Sequence, residues 1–194
     1  KGKGRWIDTR FFAYDFARDL PGGVACRFTL LPGQKDLAGG AVAGPAQFAF
    51  DTGGPAVVES MPDEGEDAID ENQVFILALD APVREETIQP NAWCSAEGVN
   101  ERIAVRVLRG QDREQVLAQR KQFVARHLKQ RGAELPGGKG RDTLFAVLQC
   151  ARTLPPGAKV TLSWGKGIAT LSGIANTQDQ KLPFRTRNDF VATF

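Results

Sequence analysis

The chain has 194 residues, 42% hydrophobic and 25% charged, which is the composition of a folded protein and excludes a wholly disordered one. A formal charge of +2 gives no general pull toward nucleic acid or an anionic membrane, and no apolar run nears the roughly 18 residues that spanning a bilayer requires. One His, His127, and three separated Cys, Cys26, Cys94 and Cys150, exclude a multi-His zinc site and a C-x-x-C pair, and leave a triad enzyme a single imidazole.

The chain opens Lys1-Gly-Lys-Gly4 without an initiator Met. It reads as a fragment or processed chain whose targeting segment lies elsewhere, and Gly2–Gly4 as flexible linker. Phe12, Tyr14 and Phe16 then alternate, as do Cys26, Phe28 and Leu30, the pattern of half-buried strands. Between them, Leu20-Pro-Gly-Gly23 is turn chemistry: Pro presets φ and Gly accepts a positive one. A Gly-rich loop follows, then a strand closing at Phe50-x-Thr52. Pro55–Pro62, Gln73–Asp80, Asn91–Glu97 and Glu101–Leu108 read as four further strands. In the last, Ile103, Val105 and Val107 alternate with Ala104 and Arg106.

From Gln111 to Gln130 the period changes. Val116, Leu117, Phe123, Val124 and Leu128 recur at helical spacing, which predicts one helix over about 111–131. Asp112 is the expected N-cap, with Gln115 three residues on, and Gly132 the expected stop. Glu134-Leu-Pro-Gly-Gly-Lys-Gly140 reads as a flexible return, and Val160, Leu162 and Trp164 as another alternating strand.

A repeat organises these elements. Residues 8–23 recur at 142–157 with a constant offset of 134, identical at eight of sixteen positions, including Asp8/Asp142, Phe11/Phe145, Arg18/Arg152, Leu20/Leu154, Pro21/Pro155 and Gly23/Gly157. The offset continues through Gly33/Gly167, Leu37/Leu171, Gly39/Gly173, Ala41/Ala175, Phe50/Phe184 and Thr52/Thr186, giving 14 identities in 45 positions. The expected fold is all-β: tandem immunoglobulin-like or macroglobulin-like β-sandwiches with a helical insertion in the second. Residues 1–53 are the C-terminal part of a first domain, whose front strands are expected upstream. Residues 54–194 form a second domain of about seven strands, with its insertion at 111–141.

Four features invite a chemical reading. The acidic stretch Asp63-Glu-Gly-Glu-Asp67, with Asp70 and Glu71, offers oxygen ligands for calcium but fits no EF-hand spacing, and reads as a solvated turn. Gly137-Gly-Lys-Gly140 lacks the Ser or Thr of a phosphate-binding loop, since Arg141 follows. Arg113, Arg120, Lys121, Arg126, Lys129 and Arg131 make the predicted helix basic, which reads as a solvated face and not as a nucleic-acid interface. His127 near the helix end suits the dipole there and has no marked nucleophile beside it. Cys26 and Cys150 sit at inward strand positions and read as buried free thiols; a Cys26–Cys94 bridge is the alternative. No catalytic, cofactor-binding or metal-binding residue is assigned, and no cofactor.

Several segments together resemble the N-terminal region of bacterial alpha-2-macroglobulins. These are Tyr14-Asp-Phe-Ala-Arg-Asp-Leu-Pro-Gly-Gly-Val-Ala-Cys26, Phe48-Ala-Phe-Asp-Thr-Gly-Gly-Pro55, Ile69-Asp-Glu-Asn-Gln-Val-Phe75 and Arg185-Thr-Arg-Asn-Asp-Phe-Val-Ala-Thr-Phe194. The resemblance covers nearly the whole chain apart from the helical segment. It implies a periplasmic protease trap of macroglobulin-like β-sandwiches: a broad-spectrum endopeptidase inhibitor with a role in bacterial defence. An N-terminal segment outside this chain would be the candidate anchor to the inner membrane. In such traps a bait segment is cut, the molecule rearranges, and a thioester from a Cys-x-x-Gln motif bonds to the attacker. Cys26, Cys94 and Cys150 are followed by Arg-Phe-Thr, Ser-Ala-Glu and Ala-Arg-Thr, so none carries that motif. The expectation is therefore a non-enzymatic scaffold. Its partners are the other domains of its parent chain and, through the full-length protein, target proteases, with no nucleic acid and no membrane insertion by this fragment. The alternative is an immunoglobulin-like repeat module of a cell-surface adhesin or carbohydrate-binding protein.

Overall fold

The alternating runs become strands in the computed structural model, which describes residues 1–8, 11–35, 38–131 and 142–189. The fold is all-β with few helices. Four strands form two antiparallel hairpins: β1 (Gly2–Trp6) pairs with β2 (Phe12–Phe16), and β3 (Ala25–Thr29) with β4 (Gln47–Asp51). Seven more are β5 (Val57–Met61), β6 (Val74–Leu79), β7 (Ala92–Ala96), β8 (Ile103–Val107), β9 (Phe145–Cys150), β10 (Lys159–Trp164) and β11 (Gln180–Arg185). They join one antiparallel sheet in the order β11-β10-β7-β8-β9-β6-β5.

This sheet folds back on itself around a single core. Phe75 of β6 meets Phe184 of β11, with ring centroids 4.9 Å apart. Ile69, ahead of β6, bridges Thr186, just after β11. At the two ends of the sheet, the Gln180 side chain accepts from the Val57 N–H and donates to the Val57 carbonyl. Inside lie the alternate residues of β6 to β11, among them Leu77, Cys94, Val105, Leu148, Leu162 and Leu182, with Val57 of β5. Trp164 is fully buried, and its indole N–H donates to the Pro55 carbonyl at 2.7 Å, so the largest core side chain leaves no donor unmet.

Strand β6 reads Val-Phe-Ile-Leu-Ala-Leu because both its faces are covered. Phe75, Leu77 and Leu79 point into the core, while Ile76 and Ala78 pack outward with Phe123, Leu144 and Phe145. The outer cover comes from helices in the β8–β9 connection. A short α1 (Ile88–Asn91) precedes β7, and α2 (Gly110–Gln119) and α3 (Lys121–Arg131) follow β8.

The single helix expected over 111–131 is thus two, broken at Arg120 (φ −117°, ψ 37°). The break lets Val116 and Leu117 on one helix and Phe123, Val124 and Leu128 on the other reach the same apolar patch. Asp112 is not the N-cap: Arg109 is, with no side-chain cap bond, and Asp112 lies in the first turn. Gly132 and the expected flexible return at Glu134–Gly140 lie outside the described residues.

Two further expectations are corrected. Cys150 is not a free thiol: it forms a disulfide with Cys94, joining β9 to β7 across the intervening β8. Both face the same core, which the 56-residue separation concealed. Cys26 is the free cysteine, half-buried. Gly2–Gly4 is not linker but strand β1. A Cβ on Gly4 would lie 2.4 Å from the Phe12 ring, and one on Gly2 2.7 Å from the Tyr14 ring. The neighbouring strand's rings occupy the space where β1 side chains would stand, so the usual apolar alternation is missing.

The repeat is structural. Adding 134 converts β2, β3 and β4 into positions within β9, β10 and β11. The Lys35–Ala41 bridge becomes the Ala169–Ala175 bridge. Gly23, Gly33 and Gly39 have φ of 79°, 78° and 82°, and their counterparts Gly157, Gly167 and Gly173 have 63°, 95° and 90°, all in the left-handed region that favours Gly. The Thr52 hydroxyl donates to the Pro21 carbonyl at 2.7 Å and accepts from the Val24 N–H at 3.0 Å. The Thr186 hydroxyl donates to Pro155 at 2.6 Å and accepts from Ala158 at 2.8 Å.

Candidate interaction surface

The two N-terminal hairpins face each other through aromatic rings. Phe28 lies 5.4 Å from Tyr14, 6.5 Å from Phe16 and 6.1 Å from Phe50, stacked on the last. Their far sides stay open. A trough of about 810 Å³ runs between them, lined by Trp6, Phe12, Tyr14, Phe16, Phe28, Leu30, Leu31, Phe48 and Phe50, with Thr29 and Gln34 at its polar margin. Phe12, Phe48 and Phe50 are 56%, 58% and 46% exposed. So large a contiguous apolar surface marks a place where something else packs. Sequence reasoning missed the trough, although a signal existed: eight of the sixteen aromatic residues lie in the first 53 positions.

The hairpins are fixed to the seven-stranded sheet through the two turns that the repeat also uses. The Asp80 carboxylate accepts from the Gly22 and Ala56 N–H groups at 3.2 and 2.8 Å. The Ser172 hydroxyl donates to the Gly23 carbonyl at 2.7 Å, and the Asn176 amide donates to Pro55 at 3.1 Å. At Gly54 a Cβ would stand 2.3 Å from the Asn176 nitrogen, so this approach requires Gly. The Thr52-Gly53-Gly54-Pro55 segment is therefore a junction: its Thr closes the first copy, and its Gly and Pro seat that copy on the second.

The other candidate residues are not brought together. Asp70 and Glu71 pair with Arg187 at 3.1 and 3.0 Å. The hydrogen bond from Arg187 holds the Glu71 carboxyl below its ordinary range. In the Asp63–Asp67 stretch, Gly65 and Glu66 bond main chain to main chain with Pro183 and Arg185. Among the described residues no three His, Cys, Asp or Glu side chains are grouped as metal ligands. Of the basic residues, Arg126 pairs with Glu59 and Arg113 donates to the Phe145 carbonyl, so the helices' cations reach inward as well as out. His127 is buried, with Nε2 2.8 Å from the Leu79 carbonyl and its ring against Phe145 at 5.2 Å. The sequence placed His127 near the helix end for the dipole there; the structure has its ring tie α3 to β6. Gly137–Gly140 lies outside the described residues. Among the described residues no helix is long and apolar enough to cross a membrane.

No protein-family model matches the chain, and neither does any of the curated proteins compared. Three solved structures of the bacterial S-layer protein SbsC are similar over 71% of this chain at 18% identity. They are a crystal structure of rSbsC (TM-score 0.40), a structure of its domains 1–6 (0.41) and a crystal structure of its N-terminal part (0.40). The chain spans 14%, 14% and 24% of those three chains, and at these scores the likeness assigns neither a fold family nor a function.

Proposed function

We propose that the chain is a scaffold and interaction module of a bacterial alpha-2-macroglobulin-like protease trap. It is built as tandem immunoglobulin-like or macroglobulin-like sandwiches, 1–53 contributing to the first and 54–194 forming the second. The helical pair is an insertion in the second: the β8–β9 connection runs from Leu108 to Leu144, where the first copy has only Ile7–Phe11. The observation that carries the reading is the keyed repeat. Two copies of one β unit share their turns, their Thr closure and their left-handed Gly positions, and the Gly22–Gly23 and Gly53–Pro55 turns lock one copy onto the other. Such an array holds domains in fixed relation, which a trap that rearranges around a protease requires. The alpha-2-macroglobulin resemblance supplies the trap and its periplasmic setting.

The chemical inventory supports a role without catalysis. The sole imidazole is committed to the Leu79 carbonyl, and two of the three Cys form a disulfide. Incubation with a panel of endoproteases tests the reading, with the full-length parent as control. The chain alone should leave proteolysis unchanged and form no covalent adduct, and the parent should inhibit. Inhibition by the chain alone refutes the scaffold role; a parent that inhibits nothing refutes the trap. The repeat also suits an adhesin array, which would carry further copies of this unit downstream in place of a Cys-x-x-Gln motif.

A further inference from the structure

We propose that the aromatic trough is a strand-acceptor site, filled by a three-stranded segment of the same polypeptide lying ahead of β1. This stands apart from the protease-trap reading, because it rests on the internal repeat alone. The second copy shows what belongs in the trough. Phe12, Tyr14, Phe16, Phe28, Phe48 and Phe50 correspond to Ala146, Leu148, Cys150, Leu162, Leu182 and Phe184. All six of the latter are at most 7% exposed. They are covered there by Phe75, Leu77 and Leu79 of β6, by Val57 of β5 and by the inward residues of β7.

The backbone makes the same point independently. Strand β1 pairs with β2 as β8 pairs with β9: Gly2 faces Phe16 and Gly4 faces Tyr14, where Val105 faces Cys150 and Val107 faces Leu148. The hairpins therefore supply equivalents of β8, β9, β10 and β11, and lack those of β5, β6 and β7. In β2 the bonds Ile7 N–H to Phe11 and Ala17 N–H to Lys1 place odd-numbered residues against β1. The main-chain groups of Phe12, Tyr14 and Phe16 then face the edge that β6 occupies in the second copy. In β3 the bonds Leu30 to Ala46 and Thr52 to Val24 turn Ala25, Arg27 and Thr29 toward the edge that β7 occupies there. Open edges beside an open apolar face are the features that β-strand addition completes.

The occupant's chemistry follows. In the second copy β5, β6 and β7 are consecutive in sequence and precede β8, joined to it by the six residues Glu97–Arg102. The missing strands therefore belong immediately ahead of β1, on a stretch of about the length of Val57–Arg102. Five of the six lining positions carry a larger residue in the first copy than in the second. At a constant packing density, the occupant carries smaller inward side chains than Phe75 and Leu77.

The test compares residues 1–194 with the same chain carrying about 55 preceding residues of its reading frame. Amide exchange is read at Tyr14, Phe16, Ala25, Arg27 and Thr29, with 8-anilinonaphthalene-1-sulfonate fluorescence and light-scattering mass. The extension should slow those five amides by about 100-fold or more and abolish dye binding. Phe28→Asp should reverse that protection in the extended chain while leaving the exchange of β6 and β10 unchanged. Unchanged exchange and dye binding on extension overturn the proposal. A preceding reading frame without three alternating strands overturns it as well. Five slow amides in a dimer of the unextended chain overturn it in favour of a second copy as occupant.

Discussion

The two Thr closures allow one substitution to be made twice, in the same hydrogen-bond geometry but at different depth. Thr186 is 0% exposed, whereas Thr52 is only half-buried. Val keeps the shape of Thr and removes the hydroxyl. In Thr186→Val the Pro155 carbonyl and the Ala158 N–H both lose their partner, and the N–H, unlike that of the half-buried Val24, belongs to a buried residue. Each orphaned group costs about 1–2 kcal/mol, so the variant should lose about 2–4 kcal/mol. At roughly 2–4 °C per kcal/mol for a chain of this size, Tm falls by roughly 4–16 °C. In Thr52→Val the Pro21 carbonyl and Val24 N–H are met by water, and the cost should be about 0.5–1.5 kcal/mol. Urea unfolding followed by Trp fluorescence measures the first, and native-state exchange of the Thr52 amide the second. Equal losses in the two variants, or a Thr186→Val loss under about 1 kcal/mol, would refute the argument that burial sets the value of these bonds.

Three further outcomes are expected. Reducing the Cys94–Cys150 disulfide frees a loop of 56 residues, which the chain-entropy relation values at about 4 kcal/mol; urea unfolding with and without phosphine reductant reads it, with Cys94→Ala/Cys150→Ala as control. Phe123→Ala removes a ring that is 3% exposed between the helices and Phe145, and should cost about 3–5 kcal/mol; near-native stability would mean that the helices merely lie on the sheet. Glu71 is held below its ordinary range by Arg187, so it contributes stability above the unfolded carboxylate pKa, lost as pH falls through its lower folded value. The stability difference between wild type and Glu71→Gln should therefore be present at neutral pH and vanish in acid; a difference that persists or grows in acid contradicts the pairing.

Strands and the repeat were legible because both rest on local signals. Alternation such as Ile103/Val105/Val107 is read directly from the pleat, and Leu-Pro-x-Gly directly from turn dihedrals. What escaped depends on contacts distant in sequence. Strand β1 carries Gly where an apolar residue is expected, because rings from β2 fill its face. The Cys94–Cys150 bond follows only once β7 and β9 are known to flank β8. The break at Arg120 follows only from the shape of the outer face of β6 and β9, onto which both helices must lie. Of the candidate surface, the Thr-Gly-Gly-Pro junction was visible as a motif while its role was not, since its partners come from two distant segments, Asp80 from one and Ser172 and Asn176 from the other.

The distribution of identities between the two copies has a physical logic. They share Pro21/Pro155, the left-handed glycines and the Thr52/Thr186 hydroxyl, but not the inward residues of the first two strands: Tyr14 replaces Leu148, Phe16 replaces Cys150 and Phe28 replaces Leu162. A positive φ excludes nearly every residue but Gly, and a hydroxyl that bridges a carbonyl and an N–H has no apolar substitute. An apolar core position accepts any side chain whose volume its neighbours can offset. Divergence in the core therefore has to be correlated across the facing strands. In the second copy the small Ala146 lies opposite the large Leu77, and the small Cys150 shares one core with Phe75. In the first copy the large partners are already on the hairpins. On the strand-acceptor proposal, the backbone of the repeat asks for the same three covering strands in both copies, and the side chains ask that those strands differ in bulk.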